Sequence, residues 1–93
     1  MIISQNEIYG GDNVREYLVK LRERRSLTQV EAAKRLLISQ SYLSSLETGV
    51  RKRSLSLATL KAFAKLYGAP LELLITEEGR YNDAHQRTIK EVK

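Results

Sequence analysis

A chain of 93 residues with 42% hydrophobic content can build one domain around an adequate core, which excludes wholesale disorder. It has no cysteine, which excludes a disulfide frame, a thiolate zinc site and thiol chemistry. The formal charge of +5 is concentrated: residues 13–68 hold twelve Lys/Arg against four acids, residues 1–12 two acids and no base, and residues 77–93 four of each sign. A basic middle between neutral or acidic ends favours a polyanionic partner. No apolar run approaches the roughly 20 residues that span a bilayer. The start lacks the cationic opening and apolar stretch of a signal peptide, so a cytoplasmic protein without membrane attachment is expected.

The first eleven residues carry two apolar pairs, Ile2–Ile3 and Ile8–Tyr9, before Gly10–Gly11; a loose arm and a short strand pairing with a second copy both fit. Asn13, with Glu16 three residues on, predicts a helix start, and Val14, Tyr17, Leu18 and Leu21 follow one buried stripe. Arg22, Arg24 and Arg25 place cations at the negative end of that helix, and Ser26–Leu27 breaks the pattern. Thr28 and Glu31 form a T-x-x-E capping box opening a second helix to about Leu36, with Val30, Ala33, Leu36 and Leu37 on one face. After Ile38, Ser39 caps a third helix, and the short connection has the length of a helix-turn-helix corner.

The third helix, Gln40 to about Thr48, is two-faced. At about 100° per residue Tyr42, Leu43 and Leu46 share an apolar side, and Gln40, Ser41, Ser44, Ser45 and Thr48 occupy the other. A solvated face ordinarily carries Lys and Glu; short hydroxyls and an amide let another backbone approach and both donate and accept. Gly49 stops the helix, and Arg51, Lys52 and Arg53 follow in a loop. Ser56 caps a fourth helix that ends at Gly68. Pro70 suits the first turn of a fifth, dense in Leu71, Leu73, Leu74 and Ile75. The chain turns polar after Thr76. The expected organisation is an arm over 1–12, an all-α domain over 13–76, and a polar tail or weak helix over 77–93.

Residues 14–76 resemble the phage-repressor-like helix-turn-helix family, the Cro or XRE type. The likeness is carried by Leu27-Thr28-Gln29-Val30-Glu31-Ala32-Ala33, by SQSYLSSLETG, and by SLATLKAFAKLYGAPLELLI. It departs at the corner, where Leu37 occupies a place that favours Gly, and after the third helix, where no proline precedes the fourth. The resemblance implies a compact five-helix, lambda-repressor-like domain. It implies that Gln29 binds a backbone phosphate and braces the reading helix. Gln40, Ser41 and Ser45 match the base-facing positions, with Ser44 between them, and Thr48, Arg51, Lys52 and Arg53 match contacts to the sugar-phosphate backbone.

The chemistry suits duplex DNA independently. An amide pairs two-fold with adenine N6 and N7 in the major groove, and serines bond to either base type. The N-terminal ends of helices two and three, Thr28 included, favour phosphate through their free N–H groups and dipole. The loop cations add sequence-independent affinity. Each feature also has a plain reading: the serines as a solvated face, the loop cations without a partner, Gln29 as part of the cap, and Tyr42 as packing. His85, the single histidine, has no nucleophile or acid in register, so no enzyme, cofactor or metal is expected.

One short helix reads too few bases for useful specificity, so a homodimeric repressor is expected, with Leu71, Leu73, Leu74 and Ile75 or the arm supplying the contact. Narrower roles share this chemistry: the antitoxin of a toxin–antitoxin pair, with a toxin as partner, or the controller of a restriction-modification operon. A protein-interaction module that keeps the fold without reading DNA is the alternative of another class.

Overall fold

The computed structural model describes residues 14–50 and 54–92, with side chains described as far as Ala84. The N-terminal arm, Asn13 as a cap, Arg51, Lys52, Arg53 and the side chain of His85 lie outside the described residues. The described residues form five helices and no strand: α1 Glu16–Arg24, α2 Gln29–Leu36, α3 Gln40–Thr48, α4 Leu57–Tyr67 and α5 Leu71–Val92. The chain divides into two units, residues 1–53 with α1 to α3 and residues 54–93 with α4 and α5.

In the first unit Val14, Leu18 and Leu21 form the expected buried stripe, with Tyr17 half-buried. Arg15 stands at the N-cap of α1 and makes no side-chain cap bond. Its backbone N–H donates instead to the Glu47 carbonyl at 2.7 Å, and its Nη1 donates to the Leu46 carbonyl at 2.8 Å. The start of α1 is therefore tied to the end of α3. A buried guanidinium meets the Leu46 carbonyl at the negative end of that helix.

Both ends of α2 are fixed by local chemistry. The Thr28 hydroxyl accepts from the Glu31 N–H at 3.1 Å, and the Thr28 N–H donates back to Glu31 Oε1 at 2.9 Å, completing the capping box. At its far end Leu37 takes the left-handed conformation, φ 61°. The Ile38 N–H donates to Ala33 and the Leu37 N–H to Lys34, which is a Schellman closure made without glycine. The end of α1 repeats this closure around Ser26, φ 58°, with Leu27 donating to Arg22 and Ser26 to Glu23.

The expected apolar face of α2 is corrected. Val30 is 51% and Leu37 90% exposed, while Ala32 and Ala33 are the buried residues. Leu37 lies beyond the helix in left-handed backbone, so the helical step no longer assigns it to a face. The small alanines let α2 pack closely within its unit.

In the second unit the Ser56 hydroxyl accepts from the Thr59 N–H and Gly68 closes α4 at φ 64°. Leu60, Phe63, Ala64, Tyr67 and Leu74 are the buried apolar residues, with the Phe63 and Tyr67 rings stacked 5.7 Å apart. Of the two readings offered for residues 77–93, a polar tail or a weak helix, the segment is helical, and it continues the fifth helix without a break: α5 runs for 22 residues to Val92. Residues 77–83 contain ordinary helix formers around one interior glycine, Gly79, whose penalty of about 1 kcal/mol is too small to stop a helix that is anchored. Glu78 supplies the anchor, since its buried carboxylate accepts the Leu55 N–H at 2.9 Å.

Candidate nucleic-acid interface

The centre of the first unit's polar chemistry is Glu47, a glutamate in the otherwise apolar stripe of α3 and only 1% exposed. Burying a carboxylate is costly unless it is paired and hydrogen-bonded. Arg22 pairs it two-fold, Nε to Oε2 at 2.7 Å and Nη2 to Oε1 at 3.1 Å. The Arg22 Nη1 also donates to the Leu27 carbonyl at 2.9 Å, so one guanidinium holds α3 and the α1–α2 loop together. Arg22 was expected to serve the helix dipole; it is instead buried in this ion pair.

A chain of amides runs outward from the same carboxylate. Gln29 Nε2 donates to Glu47 Oε1 at 2.9 Å, and Gln40 Nε2 donates to Gln29 Oε1 at 3.0 Å. The polarity of this chain is forced. An ionised carboxylate only accepts, so Gln29 must turn its NH₂ inward and its oxygen outward. Gln40 must then turn its own NH₂ toward Gln29. One Gln40 N–H remains for an outside partner, and its Oε1 remains as an acceptor. Gln40 is exposed, at the N-terminal end of α3.

The outward face of α3 differs from the expected one at two positions. Gln40, Ser41 and Tyr42 are exposed, Ser44 and Ser45 are half-buried, and Leu43, Leu46, Glu47 and Thr48 are buried. Tyr42, expected on the apolar side, is 40% exposed, while Thr48, expected on the polar side, is 5% exposed. Glu47, tied to Arg22 and Gln29, joins Leu43 and Leu46 on the buried side and leaves Tyr42 at its margin, whereas Thr48 is buried at the C-terminal end of the helix. The Thr48 hydroxyl donates back to the Ser44 carbonyl at 2.8 Å, and the Ser45 hydroxyl to the Tyr42 carbonyl at 2.7 Å. The Ser45 oxygen keeps its acceptor capacity. Ser39 caps α3 as expected, its hydroxyl accepting the Tyr42 N–H at 3.0 Å, and Gly49 ends it at φ 74°.

Thr28 is exposed, with its hydroxyl engaged by Glu31. Gln40, Gln29, Thr28, Ser41 and Ser45 are thus gathered on α2 and α3, whereas Thr48 is set inside. The residues that sequence reasoning missed are Arg15 and Glu47. Arg15 and Arg22 lie seven apart, the spacing of one helical face, and Glu47 lies four from Leu43 on a buried stripe. A charged residue recurring at core spacing was the available signal.

Among the described residues no helix is long and apolar enough to cross a membrane. No curated protein and no solved structure matches the chain. A family model described as helix-turn-helix matches residues 18–74, well over half of the sequence, from Leu18 in α1 to Leu74 in α5. The capped α2, the tight corner at Leu37 and the capped α3 supply the arrangement that this match requires. The chain belongs to the Cro/C1-type helix-turn-helix family of DNA-binding regulators.

Proposed function

We propose that the protein is a sequence-specific transcriptional repressor that binds a two-fold operator as a homodimer and reads its bases with α3. The observation that carries the reading is the ordered amide chain Glu47–Gln29–Gln40. It leaves Gln40 offering an acceptor and a donor side by side, the pair that adenine N6 and N7 require. Ser45, whose proton is spent on the Tyr42 carbonyl, offers acceptor capacity and so favours base amino groups. Ser41 and Ser44 extend the base-facing set. Gln29 and Thr28 at the start of α2, with Arg51, Lys52 and Arg53 from the loop, hold the phosphates. Thr48 is left out of this set because its hydroxyl is inside and occupied.

The proposal puts the dimer contact on α5, in a narrower set than the four apolar residues expected. Leu74 is completely buried within the chain and has no surface to offer. Leu73 and Ile75 are 40% and 44% exposed, but at about 100° per residue they lie on opposite flanks of the buried stripe. Ile75 shares its flank with half-buried Leu71, and that flank is the proposed contact.

Selection of bound sites from random duplexes, followed by gel shifts over a salt series, tests the reading. The expected result is a two-fold site with adenine at a fixed place in each half. Gln40→Ala should lose about 1–3 kcal/mol of discrimination at that place and leave the salt slope nearly intact. No affinity for any duplex at low salt would end it.

A further inference from the structure

The corner between α1 and α2 holds a concave pocket lined by Arg24, Arg25, Ser26, Leu27, Glu31 and Arg35. Three arginines line it with one glutamate. Glu31, hydrogen-bonded through Oε1 to the N–H and hydroxyl of Thr28, offsets one of the three positive charges and leaves an excess of two. Helix dipoles account for Arg24 at the end of α1 and Arg35 at the end of α2 separately. They do not account for the convergence of both, with Arg25, on one concavity. The left-handed backbone at Ser26 makes that concavity by turning the chain sharply between the helices.

The pocket lies off the base-reading face of α3, and Thr28, a proposed phosphate contact, borders it through its bonds to Glu31. On α2 Gln29 points toward Glu47, whereas Glu31 and Arg35 lie about 120–160° around the helix from it. A phosphate held by Gln29 is therefore not the anion that these arginines await.

We infer that this pocket is a second anion site, which takes a carboxylate-bearing acidic segment of a partner protein while α3 remains free for DNA. Guanidinium forks pair two-fold with carboxylates, and a run of acidic side chains on an extended peptide can engage Arg24, Arg25 and Arg35 in turn. Ligand occupancy and DNA reading then use different flanks of α2, so a partner can be recruited to the bound operator.

The test is fluorescence anisotropy of the full chain with a labelled peptide of about ten residues rich in Glu and Asp, at physiological salt. The variant Arg24→Gln/Arg25→Gln/Arg35→Gln should bind it at least about tenfold more weakly. It should keep its operator affinity within about threefold and an unchanged circular dichroism spectrum. Arg51→Gln/Lys52→Gln/Arg53→Gln should keep the peptide and weaken on DNA. Three results overturn the inference: no saturable peptide binding by the wild type, loss of the peptide in the loop variant instead, or a loss of operator affinity in the pocket variant as large as its loss of peptide. The last would assign the arginines to the duplex. A pocket variant that unfolds is replaced by Arg35→Gln alone, which should still weaken the peptide and spare the operator, and equal binding by that variant also overturns the inference.

Discussion

The Gln40 amide donates to the Gln29 oxygen across 3.0 Å, and it can do so in one sense only because Gln29 has its own amide committed to Glu47. Gln29→Leu removes that commitment. The Gln40 amide is then free to turn over and accept either hydrogen-bonding pattern. We expect adenine discrimination to fall by about 1 kcal/mol in competitive gel shifts with adenine-to-guanine duplexes, on the scale of one hydrogen bond. Unchanged discrimination would show that Gln40 orients itself without help.

The buried pair Arg22–Glu47 predicts a split between stability and reading. Glu47→Ala strands a guanidinium that is 7% exposed and should cost about 3–5 kcal/mol in urea unfolding. Replacing both partners, Arg22→Met with Glu47→Leu, should recover most of that loss, since apolar packing substitutes for a buried ion pair at little net cost. The same double variant should still lose adenine discrimination, because Gln29 has lost its acceptor. Recovery of both properties together would separate the pair from recognition.

Leu37 is 90% exposed and sits at φ 61°, so its side chain contributes little packing and its backbone is strained. A non-glycine residue in left-handed backbone costs about 1–2 kcal/mol, and glycine regains part of this while adding freedom to the unfolded chain. Leu37→Gly should raise stability by about 0.5–1 kcal/mol, read as a higher Tm. A fall would mean that the exposed leucine makes a stabilising contact.

Glu31 predicts a pH dependence. Its carboxyl is held below the ordinary value of 4.5, first by the Thr28 backbone N–H, then by the Thr28 hydroxyl, with Arg35 adding to both. A carboxyl depressed in the folded state stabilises fully above its unfolded pKa, and the contribution disappears as pH falls through the folded value. Glu31→Gln should therefore differ from wild type at neutral pH and converge with it in acid, below the ordinary carboxylate range. Parallel stability curves for the two proteins across acid pH would contradict the cap's part in stability.

Ile75→Asp places a charge on the flank proposed as the dimer contact. Sedimentation at micromolar concentration should move toward monomer, and operator affinity should fall through lost two-site binding while α3 is untouched. An unaltered mass would move the contact elsewhere.

What was legible in the sequence was what local chemistry decides. Thr28 with Glu31, Ser39, Ser56, Gly49 and Gly68 mark helix ends because a cap is made within a few residues of itself, and each appears where expected. Gln40 was identifiable as an outward amide from its place at the start of α3. The face of α3 beyond it was not. Placing Tyr42 inside follows from averaging three apolar residues, whereas Glu47, held by a guanidinium 25 residues earlier, belongs to the buried side, and the burial of Thr48 at the helix end has no signal in the pattern. Arg15 was invisible for the same reason, since its partners lie 31 and 32 residues away. The continuity of α5 past Thr76 is not legible, because polarity there fits a tail and a helix equally, and the fastening of Glu78 by the Leu55 N–H is a contact 23 residues away.

Glu47 is the common terminus of the clasp between α1 and α3 and of the amide relay to Gln40. On the proposed reading, fidelity toward an operator is tied to the tightness of the interior. Warming, or a distant substitution that lets α1 slip against α3, frees the relay while every helix is still wound. On that reading, failure would begin as misreading of the target, before the chain melts.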